Sequence, residues 1–274
     1  MVSDARIKLE LNNALGGTDF AVGKRISGKV RDSYLLPGGR RALVTTDRVS
    51  AFDRILGTIP FKGQVLNQIA AYWFEATKDI VPNHVISTPD PNVMVVAECE
   101  QLPLEFIVRG YITGVTETSA WTNYARGARV ICGNKLPDGL RKDQKLERPI
   151  LTPTTKHEVH DRNISRDEAI SEGLISPELF DEAAAVCFKM FEAGTREAAK
   201  RGLILVDTKY ELASSTASSS FLMKSTPPTP PATGMPTPTK SSSPRASRSA
   251  NSTRNTCASG LRRAASGARA NRPR

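Results

Sequence analysis

The string Leu205-Val-Asp-Thr-Lys-Tyr-Glu211 alternates Asp207, Lys209 and Glu211. Side chains repeat every two residues along a strand, so these three charges share one face. Two carboxylates around one lysine suit Mg2+ and polyphosphate; they equally suit an exposed strand face with cross-paired charges. Phe106-Ile-Val-Arg-Gly-Tyr-Ile-Thr-Gly114 puts Arg109 directly after an apolar run and before two glycines. A cation at a strand end, with glycines permitting close backbone approach, can anchor a phosphate or carboxylate. The alternative is a salt bridge at a domain junction. Ser119, further on, adds a hydroxyl donor. Ser27-Gly-Lys-Val-Arg-Asp32 sets Gly28 beside Lys29 and Arg31, so amides and two cations can approach phosphates. It is not a Walker loop, and a turn with solvated charges has the same composition. Thr45 to Asp53 gathers Asp47, Ser50 and Asp53 in one polar loop, fit for a ribose or an amino group, or for an ordinary connection. Leu151-Thr-Pro-Thr-Thr-Lys156 brings hydroxyls and a lysine after a proline-fixed turn, and His160-Asp161 follows.

These residues need elements to hold them. Short β-rich runs occur at Ala42–Thr46, Val93–Ala97, Phe106–Val108 and Leu203–Val206. Val65–Thr77 spaces Leu66, Ile69, Ala70 and Trp73 as one helical face. Ser165-Arg-Asp-Glu168 is a capping box that opens a helix. Ser176 followed by Pro177 opens another, expected to run to about Arg201 before Gly202 stops it. The helix–glycine–strand order fits an α/β region.

Charge is divided sharply along the chain. Of 38 Lys and Arg, ten lie between Leu212 and Arg274, where there is no Asp or Glu. The remaining 28 basic residues are matched by 28 acidic ones, so the body is neutral and the net +10 belongs to the tail. That tail is Ser, Thr, Pro, Ala and Arg with few large apolar residues, and disorder is expected. Cys99, Cys132, Cys187 and Cys257 form no CxxC pair, and His157 and His160 have no metal-site context, so buried reduced thiols are expected. The N-terminal Met-Val-Ser-Asp-Ala has no apolar core and no stretch reaches membrane-span length, which points to a soluble cytoplasmic protein.

GKVRD, SAFD, FIVRGYITG, LTPTTK with a following HD, and LVDTKYE occur in the order and approximate spacing of one family. Over roughly residues 8–211 the chain resembles the phosphoribosylaminoimidazole-succinocarboxamide synthase (SAICAR synthetase) family. The resemblance implies a two-part α+β fold. An antiparallel N-terminal sheet similar to ATP-grasp and kinase N-lobes (1–108) would be followed by an α/β substrate part (109–211) and a disordered tail (212–274). It implies a ligase that uses ATP and Mg2+ to join L-aspartate to carboxyaminoimidazole ribotide, with no membrane or specific nucleic-acid partner. Carried over by position, Gly28, Lys29 and Arg31 would line the ATP phosphates and Lys156 would reach the transferred phosphoryl group. Arg109 and Ser119 would hold the ribotide phosphate, Asp207 and Lys209 would contact the ribotide, Glu211 would bind Mg2+, and Asp53 would touch substrate. Lys156, Arg109 and Lys209 would carry the catalysis.

The family continues past its glutamate with Phe-Gly-Leu, an Asp-Glu pair and His-Thr-Pro-Asp-Ser-Ser-Arg; this chain reads Leu212-Ala-Ser-Ser-Thr. A one-base frame shift at codon 212 is the expected cause of the difference. In the shifted frame Leu222–Lys224 permits Asp-Glu, and Lys224–Thr239 permits Val-His-Thr-Pro-Asp-Ser-Ser-Arg-Tyr-Trp-Tyr-Ala-Asp-Ser-Tyr-Glu without a gap. The chain as written would then lack an acidic pair and an arginine of the site, and weak or absent activity is expected. A competing reading is an inactive remnant whose basic tail binds polyanions or nucleic acid. A different ATP-dependent phosphotransferase has no HRD or DFG string in its favour.

Overall fold

The computed structural model describes residues 3–51, 54–156, 162–214 and 221–223. The elements run α1 (Asp4–Glu10), β1 (Lys24–Ser27), β2 (Arg31–Leu36), β3 (Arg40–Thr45), β4 (Arg48–Ala51), β5 (Arg54–Thr58), α2 (Lys62–Ala76), β6 (Val85–Asp90), β7 (Val93–Ala97) and β8 (Glu100–Ile112). They continue with α3 (Ala120–Ala125), β9 (Val130–Ile131), β10 (Asn134–Lys135), β11 (Gln144–Leu151), β12 (Thr154–Thr155), α4 (Arg166–Ser171), α5 (Pro177–Ala199), β13 (Asp207–Ser214) and β14 (Phe221–Met223). Besides the two-stranded sheets β4-β5 and β9-β10, the described residues form two five-stranded ones, one in the order β1-β2-β3-β7-β6, the other β11-β8-β13-β14 with β12 added on β8. Every ladder in both is antiparallel, giving an α+β architecture.

The helices begin where side chains satisfy their first amides. Ser165 and Glu168 form the reciprocal capping box of α4, and Ser176 caps α5 with Pro177 in its first turn. The backbone turns left-handed at Gly202, φ +67°, just past the end of α5. The run Leu203–Val206 is not a strand; pairing starts at Asp207, and β13 enters the sheet antiparallel to β8. In α2 the buried positions are Gly63, Asn67, Ala70 and Phe74, while Ile69 faces outward. The helix is rotated from the purely apolar face because its first turn lies against β3. A Cβ on Gly63 would stand 2.3 Å from the Thr45 carbonyl oxygen, so only glycine permits the approach.

The main core takes in Phe74, Met94 and Val96 together with Phe106, Val108, Phe180, Met190 and Leu212. The buried stripe of α5, from Phe180 through Ala183, Cys187 and Phe191 to Gly194, packs on β8 and β13. A division after residue 108 would pass through the middle of β8 and through this shared core. The expected end of the folded body at Glu211 is also displaced. β13 continues to Ser214, Leu212 and Met223 are buried in the core, and β14 pairs with Leu212–Ser214. The rest of the basic segment lies outside the described residues. Cys187 is fully buried, but Cys99 and Cys132 are only half-buried, because each sits where its segment leaves the core.

Candidate active site

β8 and β13 are paired with Asp207 opposite Arg109, Lys209 opposite Ile107 and Glu211 opposite Glu105. Leu104, Phe106, Val108, Tyr210 and Leu212, the alternate positions, face the core under α5. The other face of the same two strands therefore carries Glu105, Arg109, Asp207, Lys209 and Glu211 together.

At one end of this face Glu105 is buried and accepts hydrogen bonds from Lys156 on Oε1 and Lys209 on Oε2. Lys156 Nζ also donates to Glu211 Oε1 at 3.1 Å. The lysine is delivered by β12, in which Thr154 lies opposite Glu105, and by its own amide, which donates to the Pro103 carbonyl at 2.9 Å. Burial would raise the Glu105 pKa, but the two lysines outweigh it and hold the carboxyl below its ordinary value. Lys156 is raised: burial opposes its charge, and the two glutamates more than offset that. The group thus brings two acidic and two basic side chains together, matched in number.

About 13 Å further along β8, four residues at strand rise, Arg109 is buried with Nη1 3.2 Å from Asp207 Oδ2 and Nε donating to Thr152 Oγ1 at 2.8 Å. Burial lowers its pKa and Asp207 partly offsets this, yet a guanidinium stays charged. Nη2 takes part in neither of these two bonds. The first sheet comes near the Glu211 end of this face through Arg31, which is half-buried at the start of β2. Burial lowers its pKa and the charge of Glu211 opposes that shift. The hairpin carrying Gly28 and Lys29 leads directly into Arg31, which feels the charge of Glu211.

Not every expected residue joins the group. Ser119 is the buried N-cap of α3: it accepts the Thr122 amide and donates to the Thr116 carbonyl at 2.8 Å. Asp47 is occupied by two backbone amides, Leu15 and Gly63, each at 2.8 Å, and so fixes the start of α2. Ser50 lies in β4. Asp53, His157, His160 and Asp161 are outside the described residues. Among the described residues no group of three or more His, Cys, Asp or Glu side chains gathers as a metal cluster. One buried oxygen near the cluster, Thr154 Oγ1, has no hydrogen-bond partner, and its residue pairs with Glu105.

Residues 24–226 match the family model described as SAICAR synthetase. The chain belongs to the SAICAR synthetase family. It is 54% identical over 194 residues to phosphoribosylaminoimidazole-succinocarboxamide synthase of Legionella pneumophila (strain Paris), covering 71% of this chain and 62% of that one. It is 50% identical over 222 residues to the chloroplastic enzyme of Arabidopsis thaliana, covering 79% of this chain and 54% of that one. The chain thus spans less than two thirds of the length of these relatives. Among solved structures, SAICAR-synthase from Saccharomyces cerevisiae complexed with SAICAR superposes with a TM-score of 0.68 at 30% identity, covering 77% of this chain and 75% of that one. A type-2 SAICAR synthetase in complex with ADP has the same fold, with a TM-score of 0.60 at 22% identity over 73% of this chain and 78% of that one.

Two parts of this candidate site were not evident from the sequence. Glu105 was hidden in an apolar run; the signal was its place four residues before Arg109, which puts both on one strand face. The other is the pair Asp32 and Arg48, joined at 2.9 Å beneath the β1–β2 hairpin. No spacing rule links them, since they meet only once β2 and β4 are folded together.

Proposed function

We propose that this chain is an ATP-dependent carbon–nitrogen ligase that joins L-aspartate to carboxyaminoimidazole ribotide, giving SAICAR, ADP and phosphate in de novo purine biosynthesis. The observation that carries the reading is the single face of β8 and β13, where Arg109 and the cluster of Lys156, Lys209, Glu105 and Glu211 stand at opposite ends. Such a face can hold a ribotide by its phosphate at one end and present its carboxylate to a polyphosphate at the other. The relative complexed with SAICAR and the fold neighbour complexed with ADP support the choice of ligands.

In this reading the ribotide carboxylate takes the γ-phosphoryl group of ATP, releasing ADP and forming an acyl phosphate. The aspartate amine then attacks the acyl carbon, the carbon–oxygen bond to phosphate breaks, and the amine proton leaves with phosphate or solvent. Lys156 and Arg31 neutralise charge on the transferred group, Gly28 and Lys29 face the nucleotide phosphates, Arg109 orients the ribotide, and Asp207 and Lys209 border it. Catalysis then rests on positioning and charge neutralisation, without a dedicated general base. Ser119 remains a proposed contact of the ribotide phosphate, and Asp53 a proposed substrate contact.

Glu211 and Glu105 fit Mg2+ as a pair: both are buried oxygen donors in register, with the unbonded Thr154 hydroxyl beside them. Two carboxylates without a third suit an ion that arrives with nucleotide phosphates rather than one caged by protein. Glu211 is the residue we assign to it, and the ion would supply further charge neutralisation on those phosphates. A cytoplasmic location accompanies this reading. Among the described residues no helix is long and apolar enough to cross a membrane.

The frame shift at codon 212 remains part of the proposal, and most of the residues it affects lie outside those described. None of the comparisons favours polyanion binding by the tail. ADP release should require ATP, L-aspartate and the ribotide together, and restoring the reading frame should raise it. ADP release that ignores aspartate and ribotide in both forms overturns the ligase reading. Equal, full activity in both forms overturns the impairment.

A further inference from the structure

We propose that Arg48 is a positioning residue for the nucleotide, acting through the backbone of the β1–β2 turn; this deepens the ligase reading and rests on it. Arg48 is buried, yet it binds little besides main-chain carbonyls. Nη2 donates to the Gly28 carbonyl at 2.8 Å, Nε to the Lys29 carbonyl at 3.1 Å and Nη1 to the Gly16 carbonyl at 2.8 Å. The next carbonyl, of Val30, is taken at 2.8 Å by the Thr46 hydroxyl and at 3.1 Å by the Thr46 amide. Three consecutive carbonyls of the turn thus point inward.

The consequence is geometric. Among the described residues every peptide bond is trans, and in a trans peptide the C=O and the following N–H point opposite ways. Turning the Gly28 and Lys29 oxygens inward turns the amides of Lys29 and Val30 to the outer side of the hairpin. Successive outward amides form a concave donor set for phosphate oxygens, next to Arg31 and the carboxylate end of the second sheet. A cation among carbonyls also needs a counter-charge, and Asp32 supplies it. It is fully buried, 2.9 Å from Arg48, and takes further hydrogen bonds from Thr18, Ser27 and Arg25. The guanidinium fork is required because one planar group must meet three carbonyls and a carboxylate at once, which an ammonium on a flexible stem cannot do.

The test is calorimetric titration of MgADP and, separately, of SAICAR into the 274-residue chain and its Arg48→Lys variant. The variant keeps the charge beside Asp32 and loses the fork. We expect its dissociation constant for MgADP to rise about tenfold while that for SAICAR is unchanged. Hydrogen exchange of the unaltered protein supplies the arm that needs no variant: MgADP should protect the amides of Lys29 and Val30. MgADP binding that is equal in both forms, or that leaves those amides unprotected, overturns the positioning role alone. A parallel loss for both ligands shows a merely structural arginine and also overturns it. No MgADP binding by the unaltered chain overturns the nucleotide reading beneath it.

Discussion

Glu105 and Glu211 lie directly opposite one another in the β8–β13 ladder, and Lys156 bridges their carboxylates. Like charges opposite each other in an antiparallel pair destabilise a sheet unless something is placed between them. Here Lys156, just past the end of β12, does so, and Lys209 balances the second oxygen of Glu105. The site is therefore part of the fold's own electrostatic balance, and changes made for function carry a stability cost.

Removing the charge of Glu105 measures that balance. Its side chain is 3% exposed, whereas Lys156 and Lys209 are 28% and 38% exposed and can recover water. The loss in Glu105→Gln should be smaller than for a fully buried pair, about 2 kcal/mol. Urea denaturation of the two proteins reads it directly. An unchanged midpoint would mean that the lysines do not depend on this carboxylate.

Acid sensitivity should pass through Asp32. Burial would raise its pKa, but hydrogen bonds from Arg48, Thr18 and Ser27 bring it down to about 2. A carboxyl depressed in the folded state contributes stability above its unfolded pKa, near ~3.9, and loses it as pH falls through the folded value. The contribution, about 2 kcal/mol, should be present at pH 5 and decline between about pH 4 and pH 2. Asp32→Asn should be less stable than the unaltered protein at pH 5, and the gap should narrow toward pH 3. Parallel stability curves over that range would contradict the assignment.

Ser119 caps a helix, and its hydroxyl is engaged within the fold. Ser119→Ala should cost about 1 kcal/mol of unfolding free energy, and Ser119→Thr should restore most of it. The hydroxyl is also proposed to contact the ribotide phosphate, so SAICAR affinity of Ser119→Ala should fall by more than the stability loss explains. Calorimetry of SAICAR binding at a temperature where both variants are fully folded separates the two contributions.

The starts of α4 and α5 were legible because capping is local: Ser165, Glu168, Ser176 and Pro177 act within one turn. Asp207, Lys209 and Glu211 were legible as one face because strand alternation is also local. The partners of those charges were not. Lys209 meets Glu105 across 104 residues of chain and Lys156 meets Glu211 across 55, separations set by sheet order and not by spacing. The rotation of α2 was hidden for a related reason. Its buried face is chosen by the close approach of Gly63 to Thr45 and by Asn67, which donates to the Pro91 carbonyl, and neither residue adds to an apolar stripe. Of the two readings of Arg109, the fold shows an ion pair, with Asp207, and the anion anchor stays a proposal.

A crystal structure of the chain with a non-hydrolysable ATP analogue, Mg2+ and carboxyaminoimidazole ribotide tests the central claim most directly. The account predicts the terminal phosphate within about 3 Å of Lys156 Nζ, the ion at Glu211 and the ribotide phosphate at Arg109, all on one face of β8 and β13. Ligands seated on separate surfaces, with Lys156 and Arg109 touching neither, would contradict it.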